Sequence, residues 1–338
     1  MILVTGGTGF IGSHLLIELC KNGAKVRGLK RKSSDTDFIQ RILGFYHQEY
    51  LFNSIEWVDG DLNDTDSLLE AMNGIDVVYH CAGKVSFSDK DAIVLKEINI
   101  KGTSNIVNAA LEAGVKKLCF VSSVAALGND EIITEDTLWD SNDRHSVYAQ
   151  SKYMAEQEIW RGMAEGLDCI VVRPSVVLGP WMPDRGMGIL FREIERGLKY
   201  YPPGGSAYVD VRDVASAMVK LTDSHVKNEA FIVSSENLSF REFFDLVAET
   251  MNVPVPGRCA SGFILDLAWR MEVIKAFFTG RDAGFNKETA KISMATSKYS
   301  NKKLPDTLPF RYITVKESII HLNKFLKYVA DEKNTTII

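Results

Sequence analysis

The sequence predicts an α/β fold: a doubly wound parallel sheet carrying a smaller, mostly α-helical C-terminal lobe. Three observations predict it. Short apolar or β-branched runs alternate with longer helical patterns through the first half of the chain. A glycine-rich turn joins the first run to the first helical pattern. After Arg173-Pro174 the alternation gives way to Pro/Gly-rich stretches and a more helical C-terminal part.

In chain order, the runs Ile2–Val4, Lys25–Leu29, Ile55–Val58, Ile75–Tyr79, Leu118–Val121 and Cys169–Val172 read as buried strands. Between the first two, Ile11, Leu15 and Leu19 recur every four residues, and Asn22-Gly23 supplies a helix stop. The breaks at Gly179–Pro183 and Pro202–Gly205 precede another apolar run, Phe231–Val233, that can return to the sheet. The expected division is therefore residues 1–175 and 206–236 for the dinucleotide-type (Rossmann) domain, and 176–205 and 237–330 for a substrate lobe. The sequence contains no internal repeat.

Composition limits the function classes. Thirty-nine Lys and Arg against 44 Asp and Glu leave a net charge of −5, without the basic footprint of a nucleic-acid binder. Five cysteines, odd in number and widely spaced, fit reduced thiols and a cytoplasmic setting. Met1 leads straight into a strand, so no signal peptide is expected. The most apolar late stretch, Phe263 to Phe278, carries Asp266, Arg270, Glu272 and Lys275, and is not expected to span a bilayer.

The turn Thr5-Gly6-Gly7-Thr8-Gly9-Phe10-Ile11-Gly12 carries the first chemistry. Gly6 gives the tight turn its φ freedom, a pyrophosphate can approach the backbone at Gly9, and Gly12 is expected to let the helix meet the strand. Thr8, Phe10 and Ile11 line the same helix N-terminus, which faces the phosphates. At the end of the second strand an NAD-selective site presents a carboxylate, whereas here Lys30-Arg31-Lys32-Ser33 follows Leu29. A guanidinium at Arg31, assisted by Lys30, Lys32 or Ser33, suits a 2′-phosphate and favours NADP(H) over NAD(H). The bland alternative is a solvated basic turn. Asp61 with Leu62, after the third strand, is a candidate for the adenine, or a plain turn aspartate. Ala82 and Gly83 are small residues at the edge of the fourth strand, where a cofactor can lie close.

Tyr148 and Lys152, four residues apart on a helical pattern, share one face. A phenol near pKa 10 exchanges protons poorly at neutral pH, and a neighbouring ammonium can tune it. Twenty-five positions earlier, Ser123 ends the fifth strand at the ligand-binding edge, with Ser122 as the alternative serine. A serine gripping a carbonyl oxygen, a tyrosine donating the proton and a lysine tuning it are the parts that hydride transfer to a carbonyl needs. Asn99 can hold a water or a neighbouring backbone beside Lys152, or be purely structural.

These residues, with Asn99–Thr103, Arg173-Pro174 and Tyr208–Ala215, resemble the extended short-chain dehydrogenase/reductase superfamily over nearly the whole chain. Val26–Arg31 and Tyr148–Glu156 are similar to its dihydroflavonol reductase and 3β-hydroxysteroid dehydrogenase branch. The resemblance implies the roles of Ser123, Tyr148 and Lys152, cofactor contacts that include Pro174, and Arg31 at the NADP phosphate. Steroid dehydrogenases of the family more often prefer NAD, a habit from which the basic Lys30–Lys32 run departs.

The expected substrate is a bulky, mostly apolar alcohol or carbonyl compound. Val85, Phe87, Val124, Trp181, Met182 and Tyr208 are candidate pocket walls, and Lys84, Ser86 or His145 candidate polar contacts. The helix with Phe263, Ile264, Leu267, Met271, Ile274, Phe277 and Phe278 has one apolar stripe, with Leu265, Trp269 and Val273 elsewhere on its surface. One face is expected on the lobe's core, the other on substrate, a second subunit in a homodimer, or a membrane surface. Two rival readings stand. A nucleotide-sugar epimerase would retain NAD and grip a diphosphate through Arg185, Arg192 or Arg258, and a non-catalytic sensor would bind NADP and a partner protein. A sugar dehydratase is disfavoured, because Ser123 is followed by Val124-Ala125-Ala126.

Overall fold

The computed structural model describes residues 1–279 and 285–335. In chain order the strands are β1 (Ile2–Thr5), β2 (Val26–Lys30), β3 (Ile55–Asp59), β4 (Val77–His80), β5 (Lys117–Val121), β6 (Asp168–Pro174), β7 (Val176–Leu178), β8 (Tyr200–Tyr201), β9 (Gly205–Asp210), β10 (Glu229–Val233), β11 (Glu236–Ser239) and β12 (Arg258–Cys259). The first half of the helical set comprises α1 (Phe10–Lys21), α2 (Asp37–Phe45), α3 (Thr65–Ala71), α4 (Ala92–Leu95), α5 (Gly102–Glu112) and α6 (Val147–Ala164). It continues with α7 (Met187–Glu195), α8 (Val211–Asp223), α9 (Phe240–Met251), α10 (Gly262–Thr279), α11 (Lys287–Met294), α12 (Lys303–Thr307) and α13 (Val315–Thr335).

Seven strands form one sheet in the order β10-β6-β5-β4-β1-β2-β3. Every pairing in it is parallel, as helical crossovers require. The order reverses between β1 and β4, so a crevice opens beyond their C-terminal ends, where doubly wound sheets take ligands. On one face Leu15, Leu16 and Leu19 of α1, Phe38 and Ile42 of α2, and Val214 and Met218 of α8 pack on Val4, Val121 and Val172. On the other, Leu68 of α3, Ile106 and Val107 of α5, and Ala155 and Ile159 of α6 cover Leu3, Leu118 and Val171. Strands buried on both faces explain why their sequences are runs rather than alternations.

The expected strands are all present, and Phe231–Val233 returns to the sheet beside β6. The fourth starts later than the run from Ile75, because the Ile75 amide closes the turn after α3 on the Met72 carbonyl. Asp76 is held by the Met1 ammonium at 2.6 Å and the Lys116 ammonium at 2.6 Å. The first helix ends as its sequence indicates, with Asn22 as cap and Gly23 at φ +75°.

A second core forms around β7, β9, α7, α9 and α13, with Phe191, Tyr208, Phe243, Val247 and Ile319 in its interior. β7 pairs with β9 in parallel and β9 with β11 in antiparallel, making a three-stranded sheet. Of the two apolar faces expected on α10, one packs inward. Leu265, with Ile264 and Trp269, packs on Ala260, Ala290 and Phe285. Phe263, Leu267 and Met271 face solvent at 78, 50 and 62 % exposure. Leu265 and Trp269 are one helical turn apart and meet α11, so the pair assigned elsewhere on the surface forms the inner face. Val273, Ile274, Phe277 and Phe278 lie outside the described side chains.

Candidate active site

The crevice is built first by the glycine turn. Gly6 sits at φ +68°, and a Cβ there would stand 2.6 Å from the Ala82 nitrogen, so the turn after β1 is tucked directly against the chain leaving β4. A Cβ on Gly12 would stand 2.1 Å from the Gly6 carbonyl oxygen, so this glycine lets the helix close on its own loop rather than on a strand. Gly9 is the N-cap of α1, with no side chain bonded to the helix amides and no acidic residue in the first turn. Its missing Cβ would meet only the Gly6 oxygen, at 3.1 Å. Open approach and unsatisfied amides at a helix N-terminus fit a dinucleotide pyrophosphate. Thr8, Phe10 and Ile11 share this turn; Phe10 packs its ring on Trp181 at 5.3 Å between centroids.

Beyond β2, Arg31 and Lys32 are exposed, and no ion pair engages either among the described residues. Lys30 is different: its ammonium is bound to Asp59 at 2.8 Å across the β2–β3 pair, so it is partly neutralised as a phosphate ligand. Asp61 accepts from the Asn63 amide at 2.9 Å through one carboxylate oxygen, leaving the other for a ligand. Leu62 packs over Gly102, where a Cβ would stand 2.9 Å from its side chain.

Ala82 and Gly83 leave β4 between the turn and the catalytic candidates. A Cβ on Gly83 would stand 3.3 Å from the Asn99 side-chain oxygen and 3.9 Å from the Lys152 Nζ. Asn99 lies in a π-helical turn, Lys96–Lys101, between α4 and α5, a widened turn typical of functional positions. Its side chain accepts from the Lys84 amide at 2.8 Å and donates to the Lys84 carbonyl at 3.0 Å and to the Ser151 hydroxyl at 2.9 Å. Of the roles open to it, the structure gives it the neighbouring backbone: it staples the loop after β4 to α6.

α6 starts at an N-cap, Ser146, whose hydroxyl accepts from the Ala149 amide at 3.1 Å. That start puts Tyr148 in the first turn and Lys152 one turn on. Lys152 is buried, its Nζ donates to the Val121 carbonyl at 2.7 Å and lies 4.5 Å from the Phe120 ring centre. Burial pulls this ammonium down to about 8, with Glu156 acting the other way. Glu156 is itself paired with Arg173 at 2.7 Å, a buried bridge that fixes α6 to β6 beside Pro174. Tyr148 is half-buried; burial raises its phenol above the ordinary value, and the nearby Ser123 hydroxyl works in the lowering direction. Ser123 Oγ also accepts from the Ala125 amide at 3.1 Å. Ser122, the alternative serine, has its Oγ buried without a hydrogen-bond partner among the described residues.

Phe87 lies edge-on to Tyr148 at 5.4 Å, and its carbonyl accepts from Asn286 at 3.2 Å, which brings the start of α11 to the rim. Asn286 carried no sequence signal for this; its contact spans almost 200 positions. Val85 is 66 % exposed on the same loop. Val124 packs partly on Leu127 and Ile133. Lys84 is paired with Asp91 at 3.1 Å, and the Ser86 hydroxyl accepts from the Ser88 amide at 3.2 Å, so both order the loop.

Four expected substrate contacts are elsewhere. Trp181 is locked between Phe10 and Phe38, 4.3 Å from the latter, and with Met182 packs on the core under α1. Tyr208 is fully buried and stacked on Phe243 at 4.2 Å, because β9 turns it into the second core. His145 stacks on Trp139 at 3.5 Å and its Nε2 meets the Asp140 carbonyl at 2.7 Å. Of the arginines weighed for a sugar diphosphate, Arg192 donates to the Pro183 carbonyl at 2.8 Å.

The sequence matches the NAD dependent epimerase/dehydratase family over residues 2–234. It is 31 % identical to a putative dihydroflavonol 4-reductase of Synechocystis sp., with 94 % of this chain and 91 % of that protein covered. It is 30 % identical to cinnamoyl-CoA reductase 1 of Petunia hybrida, over 77 % of this chain and 80 % of the relative. Among solved structures, gox2253 superposes with a TM-score of 0.81 at 28 % identity, covering 97 % of this chain and 98 % of that one. A Thermotoga maritima UDP-glucose 4-epimerase shares the fold at a TM-score of 0.76 and 21 % identity, with 97 % and 99 % covered. The chain belongs to the NAD-dependent epimerase/dehydratase family of the extended short-chain dehydrogenase/reductase superfamily, whose members are NAD(P)-dependent enzymes acting on CH–OH or carbonyl groups.

Proposed function

We propose that this protein is an NADP(H)-dependent oxidoreductase that interconverts a ketone or aldehyde with its alcohol on a bulky, mostly apolar substrate. The observation that carries the reading is the buried Lys152 ammonium, one helical turn after Tyr148, donating at 2.7 Å to the Val121 carbonyl two residues before Ser123, which ties the start of α6 to the end of β5.

The residues that would hold the dinucleotide are the Gly6–Gly12 turn, Asp61, Ala82, Gly83, Lys152 and Pro174, with Arg31 and Lys32 at the adenosine phosphate. The bound dinucleotide supplies the hydride in reduction and takes it up in oxidation. Ser123 donates a hydrogen bond to the carbonyl oxygen and orients it. Tyr148 delivers its phenolic proton to the same oxygen as negative charge develops there, and a raised phenol pKa keeps that proton in place at neutral pH. Lys152, protonated below about 8, offers its positive charge to the phenolate left behind. Exposed Val85 and the Phe87 ring make an apolar entrance, in keeping with relatives named for dihydroflavonol, cinnamoyl-CoA and sterol substrates. In this reading residues 176–205 and 237–330 carry substrate selection.

The test is NADPH and NADH oxidation by the purified protein with a panel of aromatic and alicyclic carbonyl compounds. NADPH-dependent turnover, with Arg31→Glu weakening NADPH roughly tenfold and sparing NADH, supports the reading. Tightly co-purifying NAD and turnover only with nucleotide sugars contradict it.

A further inference from the structure

We infer that His80 is a positioning residue whose two ring nitrogens tie the dinucleotide turn to the catalytic helix through a single directed chain of hydrogen bonds. The links are the Ala82 amide to Thr5 Oγ1 at 3.3 Å, Thr5 Oγ1 with His80 Nδ1 at 2.7 Å, His80 Nε2 with Thr103 Oγ1 at 3.1 Å, and Thr103 Oγ1 to the Asn99 carbonyl at 2.6 Å. Thr5, His80, Thr103 and Asn99 are all buried, so no water replaces a missing partner cheaply.

The direction of the chain follows from proton counting. Thr103 has one hydroxyl proton and gives it to the Asn99 carbonyl, so its oxygen receives one from His80 Nε2–H. A neutral imidazole has one N–H, so Nδ1 accepts, and the Thr5 hydroxyl proton points to it while the Thr5 oxygen takes the Ala82 amide. The opposite tautomer would set two lone pairs against each other at Thr103. Burial and the nearby Lys152 charge hold His80 at about 3, which keeps it neutral.

Each end of the chain touches machinery. Ala82 is the backbone against which Gly6 is packed, and Asn99 is the side chain that holds Lys84 and Ser151 beside Lys152. Loss of the histidine therefore frees the 81–84 segment at both ends and changes the spacing between glycine turn and ammonium. The consequence for catalysis rests on the function proposed above; the tautomer and the coupling do not.

Two measurements test it. In protein labelled with 15N-histidine, His80 is expected as the neutral Nε2–H tautomer from pH 5 to 9, and an Nδ1–H or charged ring at pH 7 overturns the inference. Thr5→Val and Thr103→Val remove one link each without changing shape, and His80→Leu removes both. NADPH dissociation constants by fluorescence are expected to rise at least about threefold in each, with the double threonine variant no worse than His80→Leu. Where the wild type turns over, kcat is also expected to fall about tenfold while the melting temperature stays within a few degrees. Unchanged cofactor affinity in folded variants, strictly additive threonine effects, or a loss of melting temperature with kcat intact each overturn it. Wild-type protein that binds NADPH but reduces no carbonyl contradicts the proposed function alone.

Discussion

At the scale of single residues, the two serines at the end of β5 make opposite predictions. The Ser123 hydroxyl acts on the Tyr148 phenol in the lowering direction, whereas Ser122 has a buried hydroxyl without a hydrogen-bond partner among the described residues. Ser123→Ala is expected to lower kcat roughly 100-fold, the usual cost of removing one donor to a developing oxyanion. Ser122→Ala is expected to leave kcat within about twofold and to hold or raise the melting temperature, since it removes an unsatisfied buried hydroxyl. Steady-state kinetics and thermal melts of the pair decide between them; equal losses would show that the two hydroxyls exchange places. The spacing of Ser123, Tyr148 and Lys152 was legible before any coordinates, because it is local in sequence and lies on one strand end and one helix. The partners that organise them were not. Asn99 was named with its role left open, whereas His80 and Asn286 act through contacts 23 to 199 positions away, and a polar residue in an apolar run gives no sign of which partner it will meet.

At the scale of elements, helical and strand periods identify buried faces but not the neighbour that covers them. The α1 stripe followed from its period, and the seven strands from unbroken apolar runs, because the parallel sheet is buried on both faces. α10 shows where that reasoning stops: two apolar faces compete, and α11 decides for Leu265 and Trp269. Leu265→Ala is accordingly expected to cost about 2–3 kcal/mol, and Leu267→Ala less than about 0.5 kcal/mol, by chemical denaturation. The reverse order would put the wrong face inside. Trp181 and Tyr208 were expected at a pocket because of their position along the chain, but Trp181 packs on the main core from the connection after β7, and Tyr208 lies in the second core on β9. Trp181→Ala, removing a ring held between Phe10 and Phe38, is expected to cost on the order of 3 kcal/mol and to weaken cofactor binding through Phe10 rather than substrate binding.

At the scale of the molecule, the sheet and the second core are joined where β9 runs into α8, and a buried carboxylate sits at that joint. Asp213 accepts from the Ile313 amide at 2.8 Å, tying α8 to the segment before α13. Burial raises its carboxyl to about 7, reinforced by Asp210 and opposed by the Ile313 bond. The folded protein thus holds this proton more tightly than the unfolded chain, so its contribution is complete below the ordinary carboxylate range and is lost as pH rises through about 7. Asp213→Asn is expected to melt close to the wild type near pH 4 and several degrees above it at pH 8; a constant difference across that range would rule out the titration. The central claim for the whole molecule remains that the fold brings one phenol to the substrate oxygen as its proton donor. Its most direct measurement is NADPH binding and turnover in Tyr148→Phe: cofactor affinity and melting temperature are predicted to be retained while kcat falls at least about 100-fold. A folded, NADPH-binding Tyr148→Phe protein that turns over at the wild-type rate would contradict it.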